Sequence, residues 1–566
     1  IRMVKVKQGL NLESEISITR IDVEPDNQIG VEEVLDKIAS FHPIFMYSYD
    51  SFPTQLTIRS KLPFLWREAS ETLYKLSKNE ITKDQALTYL VDNLIKRRIK
   101  SMSTISLLNS CMKKNIEITP TLLEKPILDD PERRFGMEFN RYLTLGCGKG
   151  SNITCSARSG DDSYIAQKLQ RDKWATNILI ERLQLPVPKW DIISSQNDME
   201  DIWDEYEKPV VIKPTGLTAG HGVTVGIDTL EKAKEAFQYA KEMIDRKNFK
   251  KWQSKILIQE QVQGDDYRLL VINGKLQVVT KRIPAFIVGN GKSNIEELIK
   301  EENKNPARNL SNPAHTLKPI NIDKPLLNYL KEQNISLEYV PKKEEKIFVR
   351  KVASMSQGGI TEDFTDEVSE EIRTIVESIT QSMHIFTLGV DVMCKDISKP
   401  LTKDNGGILE VNMMPETYLN LYPVLGKQRE YVADIYVDEL VSEKSCKKFV
   451  LVGQSKNDLP TLLRKKKVLG ENDTVGEIVE GKYRINGMEV DSQAERWQHV
   501  EAIKCNASLD VILLHYRDWK EVEEYGLGFD HINTLYITKE ESKEKESMKA
   551  IKKYKRKGLI DKIKTL

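Results

Sequence analysis

The chain has 566 residues, which is more than one hydrophobic core can organise, and this length predicts three or four domains. Lys and Arg total 85, as do Asp and Glu, so no overall charge favours nucleic acid or an anionic membrane as a partner. The sequence has no apolar run near the roughly 20 residues of a membrane helix and no visible secretory signal, so we expect neither a membrane nor a nucleic-acid partner.

The cysteine residues indicate a reducing compartment. The six cysteines are scattered, without a CxxC pair or a repeated spacing. This pattern is typical of free thiols rather than of a disulfide framework or a zinc site. The seven histidines are also dispersed and form no metal-ligand pattern. We therefore expect a cytoplasmic protein.

The chain divides into four predicted segments of an α/β multidomain protein. Residues 1–155 mix short β-like runs with helical patterns and form a predicted N-terminal α/β domain. Residues 156–445 alternate helix and strand patterns and hold nearly every chemical signal. Residues 446–540 form a smaller α/β unit with two buried strands, in KKFVLVGQ and SLDVILLHY. Residues 541–566 hold ten Lys or Arg and four Asp or Glu, which predicts a solvated helix or frayed tail, with an anionic partner as the alternative.

The stretch KPVVIKPTGLTAGHGVTVGI, residues 208–227, joins two predicted strands through a glycine-rich loop. The first strand delivers Lys213, and Gly216, Gly220 and Gly222 follow. Glycines let backbone N–H groups approach phosphate oxygens, and the lysine supplies a compact positive charge. The lysine precedes the glycines and a strand follows them, so this is not a P-loop. A purely structural hairpin remains the alternative.

Residues 254–298 contain a buried strand that reaches Glu260, then a hairpin with an Asn-Gly turn. This order suits an adenine slot, in which Glu260 faces the base and Asp266 binds the ribose hydroxyls. Lys281 and Arg282 follow in the next strand, where they would neutralise phosphate charge. A solvated strand end is the alternative for these two cations.

Two further apolar strands, in TLGVDVMC and GGILEVNM, carry hard oxygen donors. Asp391 lies in the first strand, and Glu410 and Asn412 lie in the second. Glu410 and Asn412 are two positions apart, so both side chains point to one face of their strand. Carboxylate and amide oxygens on adjacent strands suit Mg²⁺. A polar edge before a turn is the alternative for the Glu-x-Asn pair alone.

In chain order these features, with Lys173 in RDKWATNILI, resemble the ATP-grasp superfamily, and within it the cyanophycin synthetase family. The phrases that carry the closer resemblance are GDDYRLLVINGK, KRIPAFIVGNGKSNIEELI, NKNPAR, VASMSQGG, TDEVSEE and LGKQREYVADIYVDEL. The resemblance is dense over residues 160–445 and weaker over residues 1–155, where FNRYLTLGCGKGSNIT is the best stretch.

The resemblance implies ATP-dependent amide-bond formation through an acyl phosphate, with ATP and Mg²⁺ as cofactors. It implies that ATP is bound by Lys173, Lys213, Gly220, Gly222, Glu260 and Asp266. It implies that Mg²⁺ is held by Asp391, Glu410 and Asn412. Arg282 would stabilise the transferred phosphoryl group, with Arg350 as a second candidate. The substrate carboxylate would be bound by donors of the SMSQGG stretch, namely Ser354, Ser356, Gly358 and Gly359.

The sequence departs from the family at two places. Glu416 stands where the family has a glycine near the amino-acid substrate, so this carboxylate either favours a cationic or amine-bearing substrate or points to solvent. Residues 446–540 resemble the Mur ligase-like domain of the family. Its phosphate-loop Lys and Thr positions are Asn457 and Asp458 here, and a carboxylate repels phosphate. We expect a degenerate, truncated domain without a second active centre.

The sequence therefore predicts one ATP-grasp ligase centre that joins a carboxylate to an amine on amino acid or peptide substrates, in a homo-oligomer. A peptide ligase of the glutathione synthetase kind is the nearest alternative, and it would differ only in its substrates. A non-catalytic nucleotide-binding scaffold is the alternative from another class.

Overall fold

The computed structural model describes residues 4–122, 142–156, 158–170, 172–217, 221–246, 255–413, 415–442, 445–454, 459–490 and 492–566. The chain forms two compact units: unit 1 is Ile1–Gly160, Ser311–Ala314 and Ala433–Leu566, and unit 2 is Asp161–Leu310 and His315–Val432. The predicted N-terminal and C-terminal domains thus share one unit, and the boundaries at 155 and 445 stay predictions. No helix in the described ranges is both long and apolar enough to cross a membrane.

Unit 1 begins with an antiparallel sheet in the order β1-β2-β4-β3. Its strands are β1 (Val4–Lys7), β2 (Ile18–Asp22), β3 (Ser48–Phe52) and β4 (Gln55–Arg59). The accompanying helices are Gln28–Phe41, Pro63–Ser77, Lys83–Thr88, Lys96–Arg98 and Met102–Lys114. The first helix starts where the Asn27 side chain accepts a hydrogen bond from the Gly30 N–H, and it buries Val31, Val34 and Ile38 on one stripe.

A second antiparallel sheet follows, in the order β5-β6-β7-β8. Its strands are β5 (Ile118–Pro120), β6 (Tyr142–Leu145), β7 (Asn152–Cys155) and β8 (Arg158–Ser159). The glycine-rich turn between β6 and β7 requires its glycine: Gly148 has φ +55°, and a Cβ there would lie 2.3 Å from the Cys446 sulfur.

Unit 2 is built from two larger sheets and a small hairpin. Its strands are β9 (Trp190–Ile193), β10 (Val210–Pro214), β11 (Thr224–Ile227), β12 (Ile256–Glu260), β13 (Asp265–Ile272), β14 (Lys275–Ile283), β15 (Phe286–Val288), β16 (Lys346–Phe348), β17 (Ile360–Asp363), β18 (Thr387–Cys394) and β19 (Gly406–Met413). Its helices are Tyr164–Gln170, Lys173–Arg182, Gln196–Ile202, Leu230–Asp245, Ile295–Glu302, Lys324–Glu332, Glu370–Met383 and Tyr418–Leu421.

The smaller of these sheets is antiparallel, in the order β11-β10-β12-β9. One face packs against the helix Leu230–Asp245, where Ile212 and Ile258 meet Phe237 in the core. Because side chains alternate along a strand, Lys213 and Gln259 point to the opposite face. The pairing of β10 with β11 confirms the predicted strand–loop–strand order of residues 208–227.

The larger sheet is antiparallel, in the order β17-β14-β13-β18-β19. The predicted Asn-Gly hairpin between β13 and β14 is confirmed, with φ 46° at Asn273 and φ 71° at Gly274. One face of this sheet buries Leu269 and Val390 together with Val376 of the helix Glu370–Met383. The other face is polar and carries most of the candidate site.

The hairpin β15–β16 packs with two short helices, and Ile287, Ile295 and Leu326 lie in their common core. Both helices begin at a capping side chain: Asn294 accepts a hydrogen bond from the Glu297 N–H, and Asp323 caps the helix Lys324–Glu332 in the same way.

The C-terminal part of unit 1 is a mixed sheet in the order β23-β22-β21-β24-β20-β25-β26. Its strands are β20 (Lys447–Val452), β21 (Val475–Val479), β22 (Lys482–Ile485), β23 (Met488–Glu489), β24 (Val511–Tyr516), β25 (Ile532–Ile537) and β26 (Ile560–Thr565). The helices of this part are Val432–Leu440, Leu459–Lys465, Arg496–Cys505, Trp519–Tyr525 and Lys545–Arg556. The two predicted buried strands are confirmed as β20 and β24, which pair in parallel.

The basic segment 541–566 contains a helix, which is one of the two forms predicted from its composition, and it is not a frayed tail. It forms the helix Lys545–Arg556 and then β26, which pairs in parallel with β25 at the edge of the sheet. The helix buries Ser547, Ile551 and Tyr554, spaced so that they share one stripe, while its lysines face solvent. The segment therefore completes the C-terminal sheet.

Unit 1 buries an ion pair between Glu117 and Lys504. The Lys504 Nζ donates to Glu117 Oε2 at 2.7 Å, and their side chains are only 9% and 3% exposed. The Asp530 N–H donates to the other carboxylate oxygen at 2.7 Å. Burial acts to raise the pKa of Glu117, but the charges of Lys504 and Lys448 outweigh it and hold the pKa below its usual range.

The Lys504→Met variant is expected to lower the free energy of unfolding by roughly 3–5 kcal/mol, because Glu117 would stay buried without its partner. Lys149, 63% exposed and paired with Asp510 in the same unit, supplies the matched control. Lys149→Met is expected to change the free energy by less than about 1 kcal/mol. Urea denaturation of the full chain at pH 7 measures both, and equally small effects would contradict this account of the buried pair.

Candidate active site

The strand register of the larger sheet places the predicted charged residues in one row. Asp266 of β13 pairs with Arg282 of β14, and Asp391 of β18 pairs with Glu410 of β19. Residues opposite each other on neighbouring strands point to the same face. Asn412, two positions after Glu410, points there as well. The polar face thus brings together Arg282, the carboxylates of Asp266, Asp391 and Glu410, and the carboxamide of Asn412.

Arg268, which the sequence analysis did not select, lies at the centre of this row. It pairs in register with Asp391, and its Nε and Nη2 both donate to the Asp391 carboxylate, the latter at 3.1 Å. The signal was present in GDDYR, because Arg268 follows Asp266 by two positions and must share its face. Without the strand pairing, nothing in the sequence connects Arg268 to Asp391.

Two guanidinium groups hold Asp391. The Arg282 Nη2 donates to Asp391 Oδ2 at 3.0 Å and to Asp266 Oδ1 at 2.5 Å. Burial acts to raise the pKa of Asp391, but Arg268 and Arg282 outweigh it and hold the pKa below its usual range. Burial and the neighbouring charge of Asp391 raise the pKa of Asp266, although Arg282 opposes that rise. Asp391 is therefore more firmly ionised than Asp266.

The two predicted phosphate lysines approach the row from different elements. Lys173 is the first residue of its helix, and its Nζ lies 3.1 Å from Glu410 Oε1 and donates to the Leu217 carbonyl at 2.8 Å. Lys213 lies on the polar face of the smaller sheet, where its Nζ donates to Gln259 Oε1 at 2.7 Å. Burial, with a smaller contribution from Lys173, lowers the pKa of Lys213 to about 8, although Glu410 and Asp391 oppose it.

The affinity for Mg·ATP is expected to weaken as the pH rises above about 8, because Lys213 is charged below its pKa and neutral above it. A Lys213→Arg variant keeps its charge over this range, so its affinity should stay level to a higher pH. Lys232→Arg is the matched control, since Lys232 is 58% exposed and paired with Asp228. Calorimetric titration with Mg·ATP from neutral to alkaline pH measures the three profiles. A loss of affinity shared by all three proteins would contradict the role of Lys213.

The glycine loop and Glu260 lie at the two ends of the smaller sheet. Gly222 has φ +73°, and a Cβ there would lie 2.8 Å from Pro214 Cγ, so the turn requires glycine. Gly220 lies outside the described residues. Glu260 ends β12 with a half-buried side chain, and its N–H donates to the Lys189 carbonyl at 2.9 Å.

The predicted carboxylate-binding stretch forms a tight loop, Ser354–Gly359, directly before β17. The Ser354 and Ser356 hydroxyls lie 2.9 Å apart, and the Gly359 N–H donates to the Ser354 carbonyl at 3.1 Å. Gly358 has φ +92°. The strand β17 pairs with β14, where Thr361 lies opposite Arg282, so the loop ends beside the charged row.

The contacts of Asp266 and Lys281 bear on the roles predicted for them. Asp266 pairs with Arg282 beside Asp391, and its role at the ribose stays a prediction. Lys281 was predicted to act on phosphate together with Arg282. Its side chain lies on the opposite face of β14 from Arg282 and pairs with Asp265. Successive strand residues alternate between faces, which the adjacent KR letters conceal.

Arg350, the second candidate for the phosphoryl group, is 3% exposed and is bound elsewhere. Its guanidinium donates to both Asp323 carboxylate oxygens, at 2.6 and 2.9 Å, and to the Asn321 carbonyl at 2.8 Å. Asp323 in turn caps the helix Lys324–Glu332. These contacts indicate a structural clamp in the small hairpin part of unit 2, and a role of Arg350 towards the phosphoryl group stays a prediction.

Glu416 is half-buried, and its charge adds to burial in raising the pKa of the Tyr418 hydroxyl. This places a carboxylate in the segment after the predicted metal residues, as the sequence indicates. Its role towards a substrate stays a prediction. Asn457 and Asp458, on which the loss of the phosphate loop depends, lie outside the described residues.

The donor set of the row fits a divalent cation. Asp391 and Glu410 are opposed across two strands, and Asn412 adds a carboxamide oxygen on the same face. Within the described ranges, no group of three or more side chains drawn from His, Cys, Asp and Glu alone could hold a metal. The row differs because its third donor is the Asn412 carboxamide. Two carboxylates and a carboxamide are oxygen donors of the kind that Mg²⁺ prefers, and these three side chains would hold it.

Comparison with known proteins shows which families this chain is similar to. Residues 171–282 match the family model described as "Phosphoribosylglycinamide synthetase, ATP-grasp (A) domain". Residues 171–282 are therefore similar to an ATP-grasp domain. Over about half of its length the chain is homologous to cyanophycin synthetases, with 34% identity over 294 residues to the Geminocystis herdmanii protein. That match covers 52% of this chain and 33% of the relative.

Other relatives come from glutathione biosynthesis. The bifunctional protein GshAB of Clostridium perfringens is 30% identical over 329 residues, covering 56% of this chain and 40% of the relative. A bifunctional glutathione synthetase structure from Pasteurella multocida matches with a TM-score of 0.45 and 22% identity, over 67% of this chain and 49% of that one. The chain thus spans about a third to two fifths of the length of these curated relatives.

Proposed function

We propose that this chain is an ATP-dependent ligase that joins a carboxylate to an amine and releases ADP and phosphate. The observation that carries the proposal is the row formed by Asp391, Glu410 and Asn412 beside Arg268 and Arg282. Its mixture of oxygen donors and guanidinium groups suits a bound triphosphate with its metal ion. The homology to cyanophycin synthetases and GshAB proteins supports the same chemistry.

The proposed reaction has two balanced steps. An oxygen of the substrate carboxylate attacks the γ-phosphorus of ATP, and the bond to the β-phosphate oxygen breaks, giving an acyl phosphate and ADP. The amine then attacks the carbonyl carbon, the carbon–oxygen bond breaks, and phosphate leaves while the amine loses a proton. Catalysis depends on positioning and charge, because the transferred group needs little covalent help from the protein.

The three oxygen donors and the two arginines of the row each have a proposed part in this reaction. Asp391, Glu410 and Asn412 would hold Mg²⁺, which when bound neutralises phosphate charge. Arg282 and Arg268 would stabilise negative charge on the transferred group. Both guanidinium groups would be released in part from Asp391 as the ligand binds. Lys173 and Lys213 are the lysines proposed to bind ATP. Glu260 would contact the base, and Gly220 and Gly222 would contact the phosphates.

We further propose amino acids or short peptides as substrates, because the named relatives make cyanophycin and glutathione. The Ser354–Gly359 loop would bind the carboxylate, and Glu416 would favour a cationic or amine-bearing partner. A single active centre favours single condensations or the addition of a preformed unit. Free cysteines are consistent with the cytoplasm as the proposed location, and a homo-oligomer remains part of the proposal.

A ligation screen tests this proposal. The full chain is incubated with Mg·ATP and mixtures of amino acids and dipeptides, while ADP, phosphate and product mass are followed. The proposal expects one ADP per condensation and a product lighter by one water than its two substrates. ATP binding without turnover in every mixture would support the nucleotide-binding scaffold instead. A product with the mass of a glutathione-like peptide would favour the glutathione synthetase alternative.

A further inference from the structure

Arg308 is a buried guanidinium behind the Ser354–Gly359 loop. Its side chain is 2% exposed. The Nη1 donates to the Gly358 carbonyl at 3.1 Å and to the Lys318 carbonyl at 2.5 Å, and the Nε donates to Glu302 Oε1 at 3.0 Å. One side chain thus connects the loop to two other segments of unit 2.

The backbone at Gly358 is fixed from a second side by Ile320. Gly358 has φ +92°, and a Cβ there would lie 2.6 Å from Ile320 Cγ1. Asn303 holds Ile320 through both of its backbone groups: it donates to the Ile320 carbonyl at 2.9 Å and accepts from the Ile320 N–H at 2.8 Å. Asn303 and Arg308 are the first and last residues of NKNPAR, so this short motif supports the loop from behind.

The front end of the loop continues into the charged row. A Cβ on Gly359 would lie 2.9 Å from the Ile283 carbonyl oxygen, so the loop passes directly over the end of β14. Ile360 then pairs with Ile283, next to the Arg282 position. The loop therefore ends against β14, one residue after Arg282.

We infer that Arg308 is a positioning residue, which holds the Ser354–Gly359 loop in the shape that presents its N–H and hydroxyl groups to the substrate. The part of this inference that concerns substrate rests on the proposed function. Arginine suits the task because its planar fork reaches two carbonyls and a carboxylate at once, whereas a lysine is a point charge on a flexible stem. The burial of Arg308 keeps it away from solvent, so it acts through the loop.

Hydrogen exchange tests the positioning claim without any substrate. The Arg308→Lys variant should exchange the amides of residues 354–361 faster than the wild type, with the amides of β12 and β18 unchanged. Arg373→Lys is the matched control. Arg373 also donates to a carbonyl, that of Leu276 at 3.0 Å, and contacts a glutamate, Glu370, at 3.4 Å, but it lies in the helix Glu370–Met383. That control should leave the loop amides unchanged.

The ligation screen adds a kinetic readout. For Arg308→Lys, half-saturation by the amino-acid mixture should rise roughly tenfold, which corresponds to the loss of one hydrogen bond to a charged group. Half-saturation by Mg·ATP should stay within about twofold, because the nucleotide residues are untouched. Gly358→Ala disturbs the same loop directly, and combining it with Arg308→Lys should add little.

Two results would overturn the inference: loop exchange that stays at the wild-type rate in folded Arg308→Lys, or effects of the two variants that simply add. Faster exchange throughout unit 2 would also overturn it, because Arg308 would then support the fold as a whole. If the wild type ligates nothing while Arg308→Lys loosens only the loop, the proposed function fails and the positioning role stands.

Discussion

Asp391→Asn is expected to lower kcat/KM for Mg·ATP by roughly 10²–10³-fold, the range found when one group that stabilises developing charge is removed. The substitution keeps the shape of the side chain and removes its negative charge. Arg268 and Arg282 then lose the carboxylate that orients them, and the proposed metal loses a strong donor. The concentration of Mg²⁺ needed for half-maximal activity should rise as well, which a metal titration at fixed ATP measures.

Asp265→Asn is the matched control for this experiment. Asp265 lies on the same strand as Arg268, is 45% exposed, and pairs with Lys281 on the other face. Its substitution removes an equal charge from the neighbourhood and should leave both kcat/KM and the Mg²⁺ titration near the wild-type values. If Asp391→Asn behaves like Asp265→Asn, the proposed metal and phosphate site is wrong.

Arg282→Lys is the second substitution with a large expected effect. We expect kcat to fall roughly 10²–10³-fold, because an ammonium cannot reproduce the fork that contacts Asp266 and Asp391 together. We expect only a small change in the free energy of unfolding, since a positive charge remains between the two carboxylates. Single-turnover kinetics with the substrates found in the ligation screen measure the loss at the chemical step.

Arg350→Lys distinguishes the two arginines that the sequence put forward. Arg350 holds the capping carboxylate Asp323, so the conservative change should lower the free energy of unfolding by about 1–3 kcal/mol. Its effect on kcat should be small once the folded fraction is taken into account. A large loss of kcat in folded Arg350→Lys, with Arg282→Lys nearly active, would reverse the assignment.

The parts of the site that follow from local rules were predictable from the sequence. Alternation along a strand placed Glu410 and Asn412 on one face, and apolar runs of the right length located the strands that carry Asp391 and Glu410. The Asn-Gly pair likewise predicted the hairpin between β13 and β14. Each of these inferences needs only residues that are close together in the chain.

The parts that depend on pairing between distant strands were not predictable in this way. Arg268 contacts Asp391 because β13 pairs with β18, which lies more than a hundred residues later in the chain. Neither segment alone specifies the register of that pairing. Asp266 lies opposite Arg282 through a different pairing, that of β13 with β14 in the hairpin. The separation of Lys281 from Arg282, by contrast, follows from alternation along β14 alone and could have been predicted from the sequence.

Composition was misleading where a tertiary partner decides the outcome. The lysine-rich segment 541–566 has the charge of a solvated tail, yet Ile551 and Tyr554 bury one stripe of its helix and β26 finds a free sheet edge. Arg350 has the chemistry of a phosphate ligand, and its pairing with Asp323 could not be read from its own segment. In both cases the partner lies in another segment.

The transfer of oxygen from carboxylate to phosphate tests the central claim most directly. The full chain is incubated with Mg·ATP and the amino-acid mixture, with every carboxyl group labelled with ¹⁸O, and the released phosphate is analysed by mass spectrometry. An acyl phosphate requires one labelled oxygen in each phosphate released, because the carboxylate oxygen leaves with the phosphorus when the amide forms. Phosphate that carries only unlabelled oxygen would show hydrolysis of ATP by water and would contradict the ligase account.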